Sequence, residues 1–86
     1  MKIRESAENY LETIFILERR MGRVRSIDVA QELGFSKPSV SVAMKHLREN
    51  GYVVMEGNDL ILTDAGREIA ARMYERHTLL SDWLVY

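Results

Sequence analysis

The chain has 86 residues, 47% hydrophobic and 29% charged, with a net charge of −1 and no cysteine. This suits one small soluble domain with a marginal core, excludes disulfides and thiolate metal sites, and points to a reducing cytoplasm. No stretch is apolar enough for a membrane span, and Met1-Lys2-Ile3-Arg4-Glu5 lacks the apolar run of a signal peptide.

From Ser6 to Glu18, the residues Ala7, Tyr10, Leu11, Ile14, Phe15 and Leu17 fall near helical spacing. They predict a first helix with Ser6 as its N-cap, ending near Gly22. Arg23-Val24-Arg25 reads as a short extended connector. Ser26 is expected to cap a second helix, Ile27 to Leu33, with Asp28 favoured in the first turn by the helix dipole and Gly34 as its stop. Gly34-Phe35-Ser36 is then the tight, glycine-containing turn of a helix-turn-helix, whose second helix is the reader.

That second helix runs from Ser36 to Asn50. Ser36 is a good N-cap, Lys37 and Pro38 suit the first turn, and Gly51 suits a left-handed C′ position. Val40, Ala43, Met44 and Leu47 form an apolar stripe for the core. The opposite face carries Lys37, Ser39, Ser41, Val42, Lys45 and His46, with Glu49 as its only acid, at the far end. A solvated surface helix is the bland reading of such a face. Its setting argues otherwise: the segments 1–18, 19–48 and 49–86 carry net charges of −2, +5 and −4. Positive charge is therefore concentrated on and just before this helix, as an electrostatic footprint for nucleic acid requires.

After Gly51 the period changes. Tyr52-Val53-Val54-Met55 and Leu60-Ile61-Leu62 are β-prone runs joined by Glu56-Gly57-Asn58-Asp59, which predicts a hairpin, and a hairpin directly after a reading helix is a wing. Thr63 as N-cap and Asp64 start the last helix, whose stripe of Ile69, Ala70, Met73, Leu80 and Leu84 also contains His77. Thr78 to Tyr86 is apolar on more than one face, so a partner subunit covers it, or the chain is cut from a longer protein, or both. The expected fold is mostly α with a small β-hairpin: a winged helix-turn-helix of three helices, a two-stranded wing and a long C-terminal helix. Residues 1–72 would form the DNA-binding domain, and residues 73–86 the start of a further, truncated helical region.

Four stretches in this order, Ser26-Ile27-Asp28-Val29-Ala30, Phe35-Ser36-Lys37-Pro38-Ser39-Val40-Ser41, Leu62-Thr63-Asp64-Ala65-Gly66 and Arg76-His77-Thr78-Leu79-Leu80, carry a family resemblance. The chain resembles the metal-dependent repressors of the diphtheria toxin repressor and manganese transport regulator family over almost its whole length. The Leu-Thr-x-x-Gly element is common to many winged helices; the Ser-x-Pro-Ser-Val start and the Arg-His-x-Leu-Leu run are more specific. The resemblance implies a homodimeric repressor of metal-uptake genes that responds to Mn²⁺ or Fe²⁺. It assigns Glu12 and His77 as metal ligands and places Asn9 where manganese sensors usually have Asp. An amide oxygen can still ligate a hard cation but brings no charge. Without the family, His77 would read as a core histidine, and Asn9 and Glu12 as solvated surface. The resemblance makes residues 73–86 the start of a dimerisation and metal-binding helical region; further family ligands would lie beyond Tyr86, so these residues form at most part of a site.

On this reading Arg25, Ser26 and Lys45 hold phosphates, Ser36, Lys37, Pro38, Ser39 and Val42 approach base edges, and Gly57 and Asn58 at the wing tip touch the backbone. The alternatives are a winged-helix regulator that senses a small organic ligand or nothing, and a protein-interaction module acting through Leu79, Leu80, Trp83 and Tyr86. Catalysis is not expected: His46 and His77 stand on different helices without an evident nucleophile, and there is no glycine-rich phosphate loop.

Overall fold

A computed structural model describes the backbone of residues 3–85 and the side chains of residues 7–76. The elements follow in the order α1 (Ile3–Met21), α2 (Ser26–Leu33), α3 (Lys37–Glu49), β1 (Val53–Glu56), β2 (Asp59–Leu62) and α4 (Asp64–Val85). This is the winged helix-turn-helix that the sequence predicts, with differences in the bounds of α1, α2 and the wing strands. α1 begins at Ile3, so Ser6 lies inside the helix instead of capping it. The N-cap of α2 is Arg25, not Ser26, and Ser26 is its first helical residue. The physical reason is Asp28 at the third helical position, whose Oδ2 accepts the Arg25 backbone N–H at 2.9 Å. The wing strands also differ from the β-prone runs: β1 is shifted one residue toward the turn, and β2 begins one residue earlier, at Asp59. Glu56 pairs with Asp59, which leaves Gly57-Asn58 as a two-residue turn with Gly57 at φ 63°.

The two ends of α3 are closed as expected. The Ser36 Oγ accepts the Ser39 N–H at 3.4 Å. At the other end Gly51 takes φ 80°, its N–H donates to the Arg48 carbonyl at 3.1 Å, and the Tyr52 N–H donates to that of Leu47 at 2.9 Å. This double closure turns the chain sharply into the wing.

The apolar faces converge on one core in which Leu11 and Ile14 of α1, Val29 of α2, Val40 and Met44 of α3, and Leu60 of β2 are buried. The Arg23-Val24-Arg25 connector joins this core through Val24, whose carbonyl accepts the Leu60 N–H at 2.7 Å and so ties the connector to β2 without adding a strand to the two-stranded sheet. α4 crosses α1 and is tied to it at two levels. Arg67 donates to Glu18 at 2.7 Å, a contact that raises the Arg67 pKa. Two turns further along α4, the Phe15 and Tyr74 rings meet edge to face at 5.6 Å with the Arg19 guanidinium over both. Tyr74 lies off the stripe expected for this helix. The first turn of α4 is pinned to the end of α3. There the Thr63 hydroxyl donates to the Gly51 carbonyl at 2.7 Å and accepts the Gly66 N–H at 3.1 Å, and the Thr63 N–H donates to the Tyr52 carbonyl at 3.0 Å. Among the described residues no helix is long and apolar enough to cross a membrane. The side chains of His77, Leu79, Leu80, Trp83, Leu84 and Tyr86 lie outside the described residues.

Candidate nucleic-acid interface

A reading helix needs its back fixed and its front clear. Val40, Met44 and Leu47 fix the back of α3 in the core. On the front, Lys37, Pro38, Ser39, Ser41, Val42, Lys45, His46 and Arg48 are all exposed, with Val42 at 56%. Among the described residues Lys37, Lys45 and Arg48 make no ion pair, and only His46 has an acid beside it, its Nδ1 standing 3.7 Å from Glu49. The face is therefore cationic, narrow and open at its N-terminal half, a shape that can enter a major groove. Here the Ser36 hydroxyl donates to Ser39 Oγ at 2.9 Å. The two hydroxyls thereby fix each other at the end of the helix that would meet base edges.

The remaining predicted contacts border this face from two directions. Arg25 is exposed at the start of α2, with Nε 3.7 Å from Asp59 Oδ1, and Arg23 stands 3.8 Å from the other oxygen of the same carboxylate. Ser26 is half-buried in the first turn of α2, and Gly57 and Asn58 form the exposed turn of the wing. Sequence reasoning did not include Phe35. Its ring is 47% exposed in the turn before α3 and packs edge to face on Tyr10 at 6.0 Å, which ties the turn to α1. Burial raises the pKa of the Tyr10 phenol. The signal was present in the sequence as an aromatic next to an N-cap serine.

The expected metal ligands are arranged less completely. Asn9 is exposed on α1, and its backbone carbonyl accepts the Thr13 hydroxyl at 2.8 Å. Glu12, one turn on, is only 8% exposed and so departs from a solvated surface position. A carboxylate taken out of water at this place is a chemically suitable donor for a hard or borderline cation. Among the described residues no group of three His, Cys, Asp or Glu side chains could hold a metal by itself.

Comparison with known proteins bears on both sites. Residues 2–59 match the family model of the iron dependent repressor, N-terminal DNA binding domain. The chain is 38% identical over 80 residues to the HTH-type transcriptional regulator MntR of Geobacillus kaustophilus (strain HTA426), covering 92% of this chain and 57% of that protein. It is 34% identical over 83 residues to the transcriptional regulator MntR of Escherichia coli O157:H7, covering 95% of this chain and 54% of that one. The chain thus spans somewhat more than half the length of these relatives. Among solved structures, MepR, a transcription regulator of the Staphylococcus aureus multidrug efflux pump MepA, superposes with a TM-score of 0.65 at 15% identity. That likeness covers 96% of this chain and 73% of MepR, and it is one of fold alone.

Proposed function

Because the chain belongs to the iron dependent repressor family, whose N-terminal DNA binding domain its residues 2–59 match, we propose that it is the operator-reading part of a divalent-metal-responsive transcriptional repressor. The family is one of transcriptional regulators, not enzymes. The observation that carries the reading is the front of α3: exposed hydroxyls, an exposed valine and cations without an ion pair among the described residues, on a helix whose back is locked in the core. Lys37, Ser39 and Val42 approach base edges, with Ser36 and Pro38 shaping the entering end. Lys45, Arg25 and Ser26 meet phosphates, and the Gly57-Asn58 turn of the wing lies against the backbone.

The metal-responsive half of the proposal rests on Glu12, supported by Asn9 and by His77 on α4. A bound Mn²⁺ or Fe²⁺ would supply positive charge that draws these donors on α1 and α4 together. The buried Glu12 carboxylate would be the anionic ligand of this set, and Asn9 would add only a carbonyl oxygen, which weakens the site relative to a pair of carboxylates. Dimerisation through the C-terminal helix would place two reading helices in successive major grooves, roughly 34–36 Å apart.

The test is fluorescence anisotropy of a labelled duplex carrying the protein's own promoter region, titrated at moderate salt with Mn²⁺ and with chelator. Tighter binding with Mn²⁺ supports the whole proposal. Equal binding in both conditions retains operator reading and removes metal control from these 86 residues. No preference over a random duplex in either condition overturns operator recognition.

A further inference from the structure

A cleft of about 320 Å³ opens between the N-terminal half of α1 and the middle of α4, away from the front of α3. Ala7, Ile69, Met73 and Tyr52 contribute its apolar lining, together with Leu11, which is itself buried in the core. Glu8, Arg72 and Arg76 provide the polar lining. Neither Asn9 nor Glu12 takes part. The described lining of the cleft therefore contains no residue of the DNA face and neither of the two described metal-ligand candidates.

Its chemistry is lopsided. Arg72 and Arg76 stand one turn apart on α4, so their side chains rise from the same helix face. Both are exposed, and among the described residues neither forms an ion pair, Glu8 included. The lining therefore carries a net positive charge beside a smaller apolar part. A guanidinium presents a planar fork that matches a carboxylate with two parallel hydrogen bonds, and two such forks leave room for one anionic head. The volume is at the small end of ligand clefts, about 300–1,000 Å³, which suits a compact molecule and is too little for a dinucleotide or a folded peptide.

We propose that this cleft binds a small amphipathic monoanion of the medium-chain carboxylate class, with its head between Arg72 and Arg76 and its tail on Ala7, Ile69 and Met73. The tail would end at Tyr52, the residue whose backbone joins α3 to α4 through Leu47 and Thr63. The site stands on its own lining and does not depend on the metal-sensing reading.

The test is an NMR titration of the 86-residue chain with octanoate, and with 1-octanol as the same tail without the charge. Octanoate should produce saturable shifts concentrated at Ala7, Tyr52, Ile69 and Met73. Octanol should bind at least about fivefold more weakly, because it forfeits the charge-assisted hydrogen bonds. The R72Q/R76Q double variant changes only exposed side chains, and it should lose octanoate affinity by a similar factor while keeping its thermal midpoint. Absence of saturable shifts at those four residues, equal affinity for octanol, or undiminished affinity in the double variant would each overturn the proposal. All three readouts are taken without DNA or metal, so they are independent of the promoter titration above.

Discussion

Replacing Gly66 by alanine probes the joint on which the orientation of α3 relative to α4 depends. At an unobstructed position inside a helix, Gly→Ala stabilises by about 1 kcal/mol through helix propensity. Gly66 is obstructed: a Cβ built there meets the backbone carbonyl of Tyr52, the same carbonyl that accepts the Thr63 N–H at 3.0 Å. Backbone cannot swing aside as a long side chain would, so the first turn of α4 must lift off Tyr52. Overpacking of this kind costs about 1–3 kcal/mol, and weakening the Thr63 hydrogen bond adds about 1 kcal/mol. After subtraction of the propensity gain, the expected net loss is about 1–3 kcal/mol, which for a domain of this size lowers the melting temperature by roughly 5–20 °C. Thermal unfolding followed by far-UV circular dichroism measures it, with Ser41→Ala on the exposed front of α3 as the control, expected to be neutral or slightly stabilising. A melting temperature raised by Gly66→Ala would refute the close approach of α4 to Tyr52.

Three further outcomes follow from the interface. Lys45→Ala should weaken binding to operator and random duplexes alike and reduce the slope of log K against log salt by about 1, read by anisotropy at several salt concentrations. Val42→Ala should remove a preference for thymine over uracil at one operator position; loss of one methyl contact is worth about 0.8 kcal/mol, roughly fourfold in affinity. Glu12→Gln should weaken Mn²⁺ enhancement of DNA binding by at least about tenfold in metal concentration, since even outer-shell partners of a metal are worth that much, while leaving metal-free binding unchanged.

The elements were legible wherever the chain closes its own structure locally. Ser36, Gly51 and Thr63 mark helix ends by backbone hydrogen bonds to near neighbours, and all three act as their types suggest. The cap of α2 was read one residue late because the decisive group was not the hydroxyl of Ser26 but the Asp28 carboxylate, which reaches back to the Arg25 amide. Burial of Glu12 was not legible, because a glutamate at this spacing reads as solvated until the crossing of α1 over α4 is known. Tyr52 was likewise legible as part of a β-prone run but not as the joint between α3 and α4, a role that comes from Gly66, fourteen residues further along the chain. The cleft beside it needs residues from α1, α4 and the start of the wing, so no single window of sequence contains its pattern.

The distribution of charge explains how a chain of net charge −1 can present a face suited to DNA. The basic residues of segment 19–48 are divided by function. Arg19 is spent on the Phe15 and Tyr74 rings, and Arg20 stands 3.4 Å from Glu32 on the surface. Arg23 and Arg25 share one carboxylate, Asp59, at 3.8 and 3.7 Å, while Lys37, Lys45 and Arg48 remain without an ion pair among the described residues. Exposed pairs at such distances contribute at most about 1 kcal/mol and are screened by salt. A phosphate can therefore take over Arg23 or Arg25 at little cost, while Asp59, beside the wing turn, holds both guanidinium groups near one carboxylate in the meantime. Their exchange between Asp59 and a phosphate would couple the α1–α2 connector to the wing, so the wing need not carry positive charge of its own to be held against the duplex.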